Sequence, residues 1–142
     1  MRFWDASALV PTFIEESSTP EVQSWQAADP RITIWIMTRV EVLSAIARKK
    51  REQPELAALW TRAIQDVNEM ALRWTEIWDA AATRLHAERI VMDYPLRAAD
   101  APQLGAAIVA GDGDPQSLEL VTLDNRLAEA ARREGFPVLG IR

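Results

Sequence analysis

The chain has 142 residues, 49% of them apolar, which is enough for one hydrophobic core and leaves little room for a second domain. It contains no cysteine, so disulfides, zinc–thiolate sites and thiol nucleophiles are excluded. The formal net charge of −5 argues against a passive nucleic-acid-binding module, which needs Lys and Arg to neutralise phosphate. It argues less against a metallonuclease, whose acids hold cations that then meet phosphate.

At the N-terminus, Arg2-Phe-Trp-Asp5 predicts a short strand, its aromatics favouring an extended chain. The acid at position 5 interrupts any apolar signal region. Ser7 to Glu16 predicts a helix with Leu9, Val10, Phe13 and Ile14 on one face and Pro11 in its first turns. A second short helix is expected over 21–28, followed by a turn at Asp29-Pro30. Ile32-Thr-Ile-Trp-Ile36 is β-branched and apolar throughout, as buried parallel strands are. Thr38 and Glu41 form an S/T-x-x-E pattern, which predicts a capping box at the start of a helix running to about Arg51.

Pro54 opens a further helix to about Leu72, and Trp74 to Trp78 predicts a third strand. Helices are expected over 79–92 and 98–109, with Gly111-Asp-Gly-Asp-Pro115 as a loop. Leu118 to Thr122 predicts a fourth strand. Asp124 to Glu134 predicts a helix closed by Gly135, and Pro137 to Ile141 a last strand. No apolar run approaches the ~20 residues of a membrane span, so a cytoplasmic protein is expected. Alternating strands and helices predict one α/β domain over residues 1–142, with a mainly parallel sheet covered on both faces.

In an open parallel sheet, ligands bind beyond the carboxyl ends of the strands. Asp5 ends the first strand, Glu41 lies one turn into the helix after the second, and Asp124 directly follows the fourth. Asp100 lies at the start of a late helix. All four carboxylates therefore belong near one edge of the sheet. Carboxylates gathered in one cleft raise each other's pKa unless cations neutralise them. Oxygen ligands without His or Cys select Mg²⁺ or Mn²⁺ over zinc. Such ions activate water and hold a phosphoryl group in line, which needs no protein nucleophile. Three of the acids also have a plain structural role on offer: capping for Asp124 and Asp100, the capping box for Glu41. Asp5 has none, because it ends a buried strand where an unpaired charge is costly.

The opening Arg2-Phe-Trp-Asp-Ala-Ser-Ala-Leu-Val-Pro11, with Thr38-Arg-Val-Glu41, Leu96-Arg-Ala-Ala-Asp100 and Val121-Thr-Leu-Asp124, resembles the PIN-domain family. The motifs follow the family's order over almost the whole chain, and the small size resembles its VapC-type toxins. The resemblance implies a three-layer α/β/α sandwich and a Mg²⁺- or Mn²⁺-dependent endoribonuclease that cleaves RNA to leave a 5′-phosphate. It further implies a homodimer, and a cognate antitoxin that covers the cleft. Asp5, Glu41 and Asp100 would be the principal metal-binding and catalytic acids, with Asp124 a more variable fourth. Ser7 would help hold Asp5 or a metal-bound water, and Thr122 and Asn125 would support the ligating acids from behind. After Asp100 the family usually continues with Ala, an aliphatic or aromatic residue, then His or Gln; here Ala101-Pro102-Gln103 follows, and Pro102 would distort the site if the helix began earlier.

Arg39 and Arg97 neighbour proposed ligands, where each can contact a phosphate or orient a carboxylate. His86 reads as a surface residue, Asp112 and Asp114 as a turn, and Arg48 to Arg51 as a solvated helix end. The six tryptophans are mostly core candidates, with Trp60 and Met70 also suited to a partner surface. Two rival functions are a phosphoacceptor domain and a degenerate PIN domain kept as a binding protein. The first expects a lysine after the last strand, and Pro137 to Arg142 has none.

Overall fold

The computed structural model describes residues 1–140. Five strands form one all-parallel sheet: β1 (Arg2–Trp4), β2 (Ile32–Trp35), β3 (Thr75–Ile77), β4 (Glu119–Thr122) and β5 (Val138–Gly140). The strand order is β3-β2-β1-β4-β5. The helices are α1 (Ala6–Leu9), α2 (Thr19–Ala28), α3 (Thr38–Glu52), α4 (Ala57–Ala71), α5 (Ala80–Asp93), α6 (Ala101–Gly111) and α7 (Asn125–Arg133).

The two-residue period of β1 divides the core. Trp4 packs with Leu9, Val22, Val42, Ile46, Trp60 and Val67, from α1 to α4. Phe3 points to the other face, among Ile90, Leu104, Leu127 and Phe136 from the α5–α7 side. Both aromatics are fully buried, and each contributes about 1.5–3 kcal/mol of hydrophobic stabilisation. Leu120 and Val121 divide in the same way on β4. The result is the expected three-layer α/β/α sandwich. Its helices pass to one face after β1 and β2 and to the other after β3 and β4.

Two expected elements differ. The helix expected over 7–16 is α helix only to Leu9 and then a 3-10 turn over Val10–Thr12. Pro11 has no N–H to donate four residues back and its ring crowds that carbonyl. The capping box at Thr38 does not form. Met37 occupies the cap position, no side chain caps the helix, and the Thr38 hydroxyl donates to Gln103 Oε1 at 3.1 Å. Thr38 is fully buried, so its hydroxyl meets α6 rather than its own helix end. Of the last expected strand, Ile141 lies outside the described residues.

Two glycines set close approaches. A Cβ on Gly105 of α6 would stand 2.7 Å from the Thr83 carbonyl oxygen of α5, so the two helices pack backbone to backbone. Gly140 has φ +129°, and a Cβ there would lie 1.7 Å from the Thr122 carbonyl oxygen, so β5 can pair with β4 only through glycine. No helix among the described residues is long and apolar enough to cross a membrane.

Candidate metal centre

The crossover direction reverses between β1 and β4, which makes their carboxyl ends the switch point where α/β folds bind ligands. Asp5 and Asp124 are the residues that emerge there. The Asp5 N–H still donates to the Val121 carbonyl, at 3.2 Å, so its backbone is held as a continuation of the sheet. Its carboxylate is buried and accepts from Ser7 Oγ at 2.8 and 3.0 Å. Ser7 Oγ in turn accepts from the Leu123 N–H at 2.9 Å and lies 3.3 Å from Thr122 Oγ1. Ser7 thus ties the end of β1 to the end of β4, and Thr122 completes the tie by accepting from the Asp124 N–H at 3.0 Å.

Burial pushes the Asp5 carboxyl up from 3.8 to about 7, against the pull of the Ser7 and Thr122 hydroxyls and the main-chain N–H groups of Ala8 and Ser7. Among the described residues, no cation acts on it. Glu41 is half-buried on α3 and accepts from Gln103 Nε2 at 2.8 Å. Burial raises its pKa, the Gln103 bond lowers it, the Asp100 charge raises it and the Arg97 charge lowers it. Glu41, Asp100 and Arg97 therefore share one electrostatic neighbourhood.

Asp100 sits at the cap position of α6 but makes no capping bond. Its Oδ2 instead accepts from Arg97 Nε at 3.0 Å. Asp124 does cap: its Oδ1 accepts from the Leu127 N–H at 2.8 Å. Arg97, Asp100, Asp124, Asn125 and Arg126 line an open cleft of about 440 Å³ with Leu123. Pro102 falls in the first turn of α6, where its missing N–H costs nothing, and α6 starts undistorted at Ala101.

The structure therefore gathers Asp5 with Ser7 and Thr122, Glu41 with Gln103, and Asp100 with Asp124 and Asn125, all at the carboxyl edge. Arg39 turns away, donating to Asn68 of α4 at 2.7 Å. Among the described residues, no three His, Cys, Asp or Glu side chains are grouped closely enough to hold an ion as they stand. The chemistry of the donor set nevertheless fits a hard divalent cation. It offers carboxylate oxygens only, and two of the four carboxyls are pushed up by burial with no cation of the described residues bonded to them.

Gln103 stood in the sequence only as part of the run after Asp100, and its bonds to the site were not anticipated. It is 1% exposed and joins α6 to α3 through both halves of its amide. A polar amide on the apolar run Ala101 to Val109 was the available signal, since such a group stays buried only when satisfied. Arg126 was also missed, because the first turn of a capped helix gives a cation no special mark.

No protein-family model matches the chain, and no curated protein matches it. Solved structures do. A toxin–antitoxin complex from Klebsiella pneumoniae is 20% identical with TM-score 0.63, over 98% of this chain and 96% of that one. PAE2754 from Pyrobaculum aerophilum is 21% identical with TM-score 0.65, over 96% and 87%. FitAB bound to the IR36 DNA fragment is 17% identical with TM-score 0.59, over 99% and 94%. At these identities the likeness establishes a shared α/β fold along nearly the whole chain.

Proposed function

We propose that the chain is a Mg²⁺- or Mn²⁺-dependent endoribonuclease that serves as the toxin of a toxin–antitoxin pair. The observation that carries this reading is Asp5: a buried carboxyl at the switch point, bonded to hydroxyls and, among the described residues, to no cation. A structural acid in that position would be paired with an Arg or Lys or held protonated. A divalent cation removes the same cost.

Asp5, Glu41, Asp100 and Asp124 would hold the cation. When bound, it supplies activation of water and neutralises charge on the phosphodiester. The rest is the work of the chain. Ser7 and Thr122 fix the Asp5 carboxylate, and Gln103 fixes Glu41. Asn125 lines the same cleft as Asp100 and Asp124. Arg97, with its side chain 74% exposed, pairs with Asp100 and would present its guanidinium to a phosphate oxygen of the substrate. Cleavage leaves a 5′-phosphate and a 3′-hydroxyl.

The toxin–antitoxin part is supported by the fold, shared with a toxin–antitoxin complex and with FitAB on DNA. A partner surface is also at hand. Leu85 and Met92 lie seven residues apart on α5 with Trp78 just ahead of it, all at least 67% exposed. A homodimer or an antitoxin would cover such a row. The test is cleavage of single-stranded RNA with Mg²⁺ or Mn²⁺ and with EDTA. Wild type should cleave only with metal and Asp5→Asn should fail to cleave. Equal cleavage by both would sink the proposal.

The second reading, a degenerate domain retained for binding, draws on the Arg97–Asp100 pair and the absence of a closed cage among the described residues. A folded wild-type chain that takes up no cation would favour it.

A further inference from the structure

A second, narrower groove of about 150 Å³ lies next to the acidic cleft, lined by Tyr94, Pro95, Arg126, Glu129, Ala130 and Arg133. Arg126 lines both, so the two adjoin at its side chain. It is exposed in the first turn of α7, and among the described residues it makes no ion pair or hydrogen bond. The other charges of the groove are matched: Arg133 pairs with Glu129 at 2.8 Å. Tyr94 is held in place by its hydroxyl, which donates to Glu134 Oε1 at 2.6 Å, while its ring stays half-buried in the groove wall. Pro95 stands beside it.

One unmatched guanidinium, then an anchored aromatic ring with an apolar neighbour, is the order of groups along a nucleotide strand: phosphate, then base. An arginine takes a phosphate in a bidentate fork, and an aromatic ring stacks on any base. We propose that this groove binds the nucleotide adjoining the scissile phosphodiester, its phosphate held by Arg126 and its base laid on Tyr94. The groove thereby sets the substrate class of the site as single-stranded RNA, since a base paired in a duplex cannot reach the ring. This rests on the ribonuclease reading above. Its sequence tolerance follows from stacking, which reads a π face and not a base edge.

The experiment is fluorescence anisotropy of a labelled single-stranded RNA of mixed sequence against the full chain, in EDTA so that binding is read without cleavage, over a series of salt concentrations. Arg126→Ala should weaken binding and reduce the slope of log K against log salt by about 0.7, the loss of one single-strand phosphate contact. Tyr94→Leu should weaken binding by roughly ten-fold or more. Tyr94→Phe, which keeps the ring, should retain more affinity than Tyr94→Leu. Arg62→Ala, on the far face of α4, should leave the slope unchanged. Melting curves check that each variant folds. Wild-type binding with an unaltered slope and affinity in Arg126→Ala overturns the proposal alone. RNA that the wild type neither binds nor cleaves overturns the ribonuclease reading, and this proposal with it. An Arg126→Ala variant that loses affinity for a co-expressed protein partner but not for RNA assigns the groove to that partner instead.

Discussion

Asp5 and Asp124 emerge from adjacent strands, yet the chain treats them differently. Asp5 is buried and its pKa is raised from 3.8 to about 7, so the folded state holds its proton more tightly than the unfolded state does. The stability this gives is present below about pH 4 and is lost as pH rises through about 7. Asp5→Asn keeps an acceptor for Ser7 without the charge. In EDTA it should raise Tm above wild type at pH 8 by several degrees, and the gain should shrink towards pH 5. A difference independent of pH would contradict the burial argument. Asp124 is half-exposed and spends one carboxylate oxygen on the Leu127 N–H. Asp124→Asn should therefore preserve stability while lowering cleavage, because Asn caps as well as Asp. Asp124→Ala should cost about 1 kcal/mol in urea unfolding besides. Both acids were legible in the sequence, since a strand end and a helix start are local features. The role of Gln103 was not, because its bonds reach Glu41 and Thr38 across 62 and 65 positions of chain.

At the scale of elements, α6 matters most to the site. Its N-terminus carries Asp100 at the cap position and Gln103 in the first turn, and its position is set by close packing against α5 at Gly105. Gly105→Ala improves helix propensity by about 1 kcal/mol in isolation. Here the added methyl meets the Thr83 carbonyl oxygen at 2.7 Å, on backbone that cannot rotate away. The expected outcome is a net loss of about 1–3 kcal/mol in chemical denaturation, with reduced cleavage as α6 is displaced. An unchanged or raised stability would show that the helices can separate freely. Strand existence and order of elements followed from apolar runs and turn residues, and these were read correctly. What failed was local chemistry that tertiary packing redirected. Thr38 and Glu41 had the pattern of a capping box, but their side chains found Gln103. Pro11 read as an early helical residue and instead ends the α helix.

At the scale of the molecule, a −5 chain proposed to act on a polyanion needs its positive charge in a few places and its negative charge compensated where substrate would dock. The parallel sheet accomplishes this by bringing residues 5, 41, 100 and 124 to one edge, with Arg97 and Arg126 beside them. The alternation of strands and helices predicted that edge but not the distances across it, and among the described residues no three of the acids stand close enough to hold an ion. The measurement that bears on this most directly is calorimetric titration of Mn²⁺ into the metal-free chain at pH 7.5, wild type beside Asp5→Asn. Wild type should take up the ion, and Asp5→Asn should bind it at least about ten-fold more weakly. No uptake by folded wild type, or equal uptake by the two, would contradict a cation site built on Asp5.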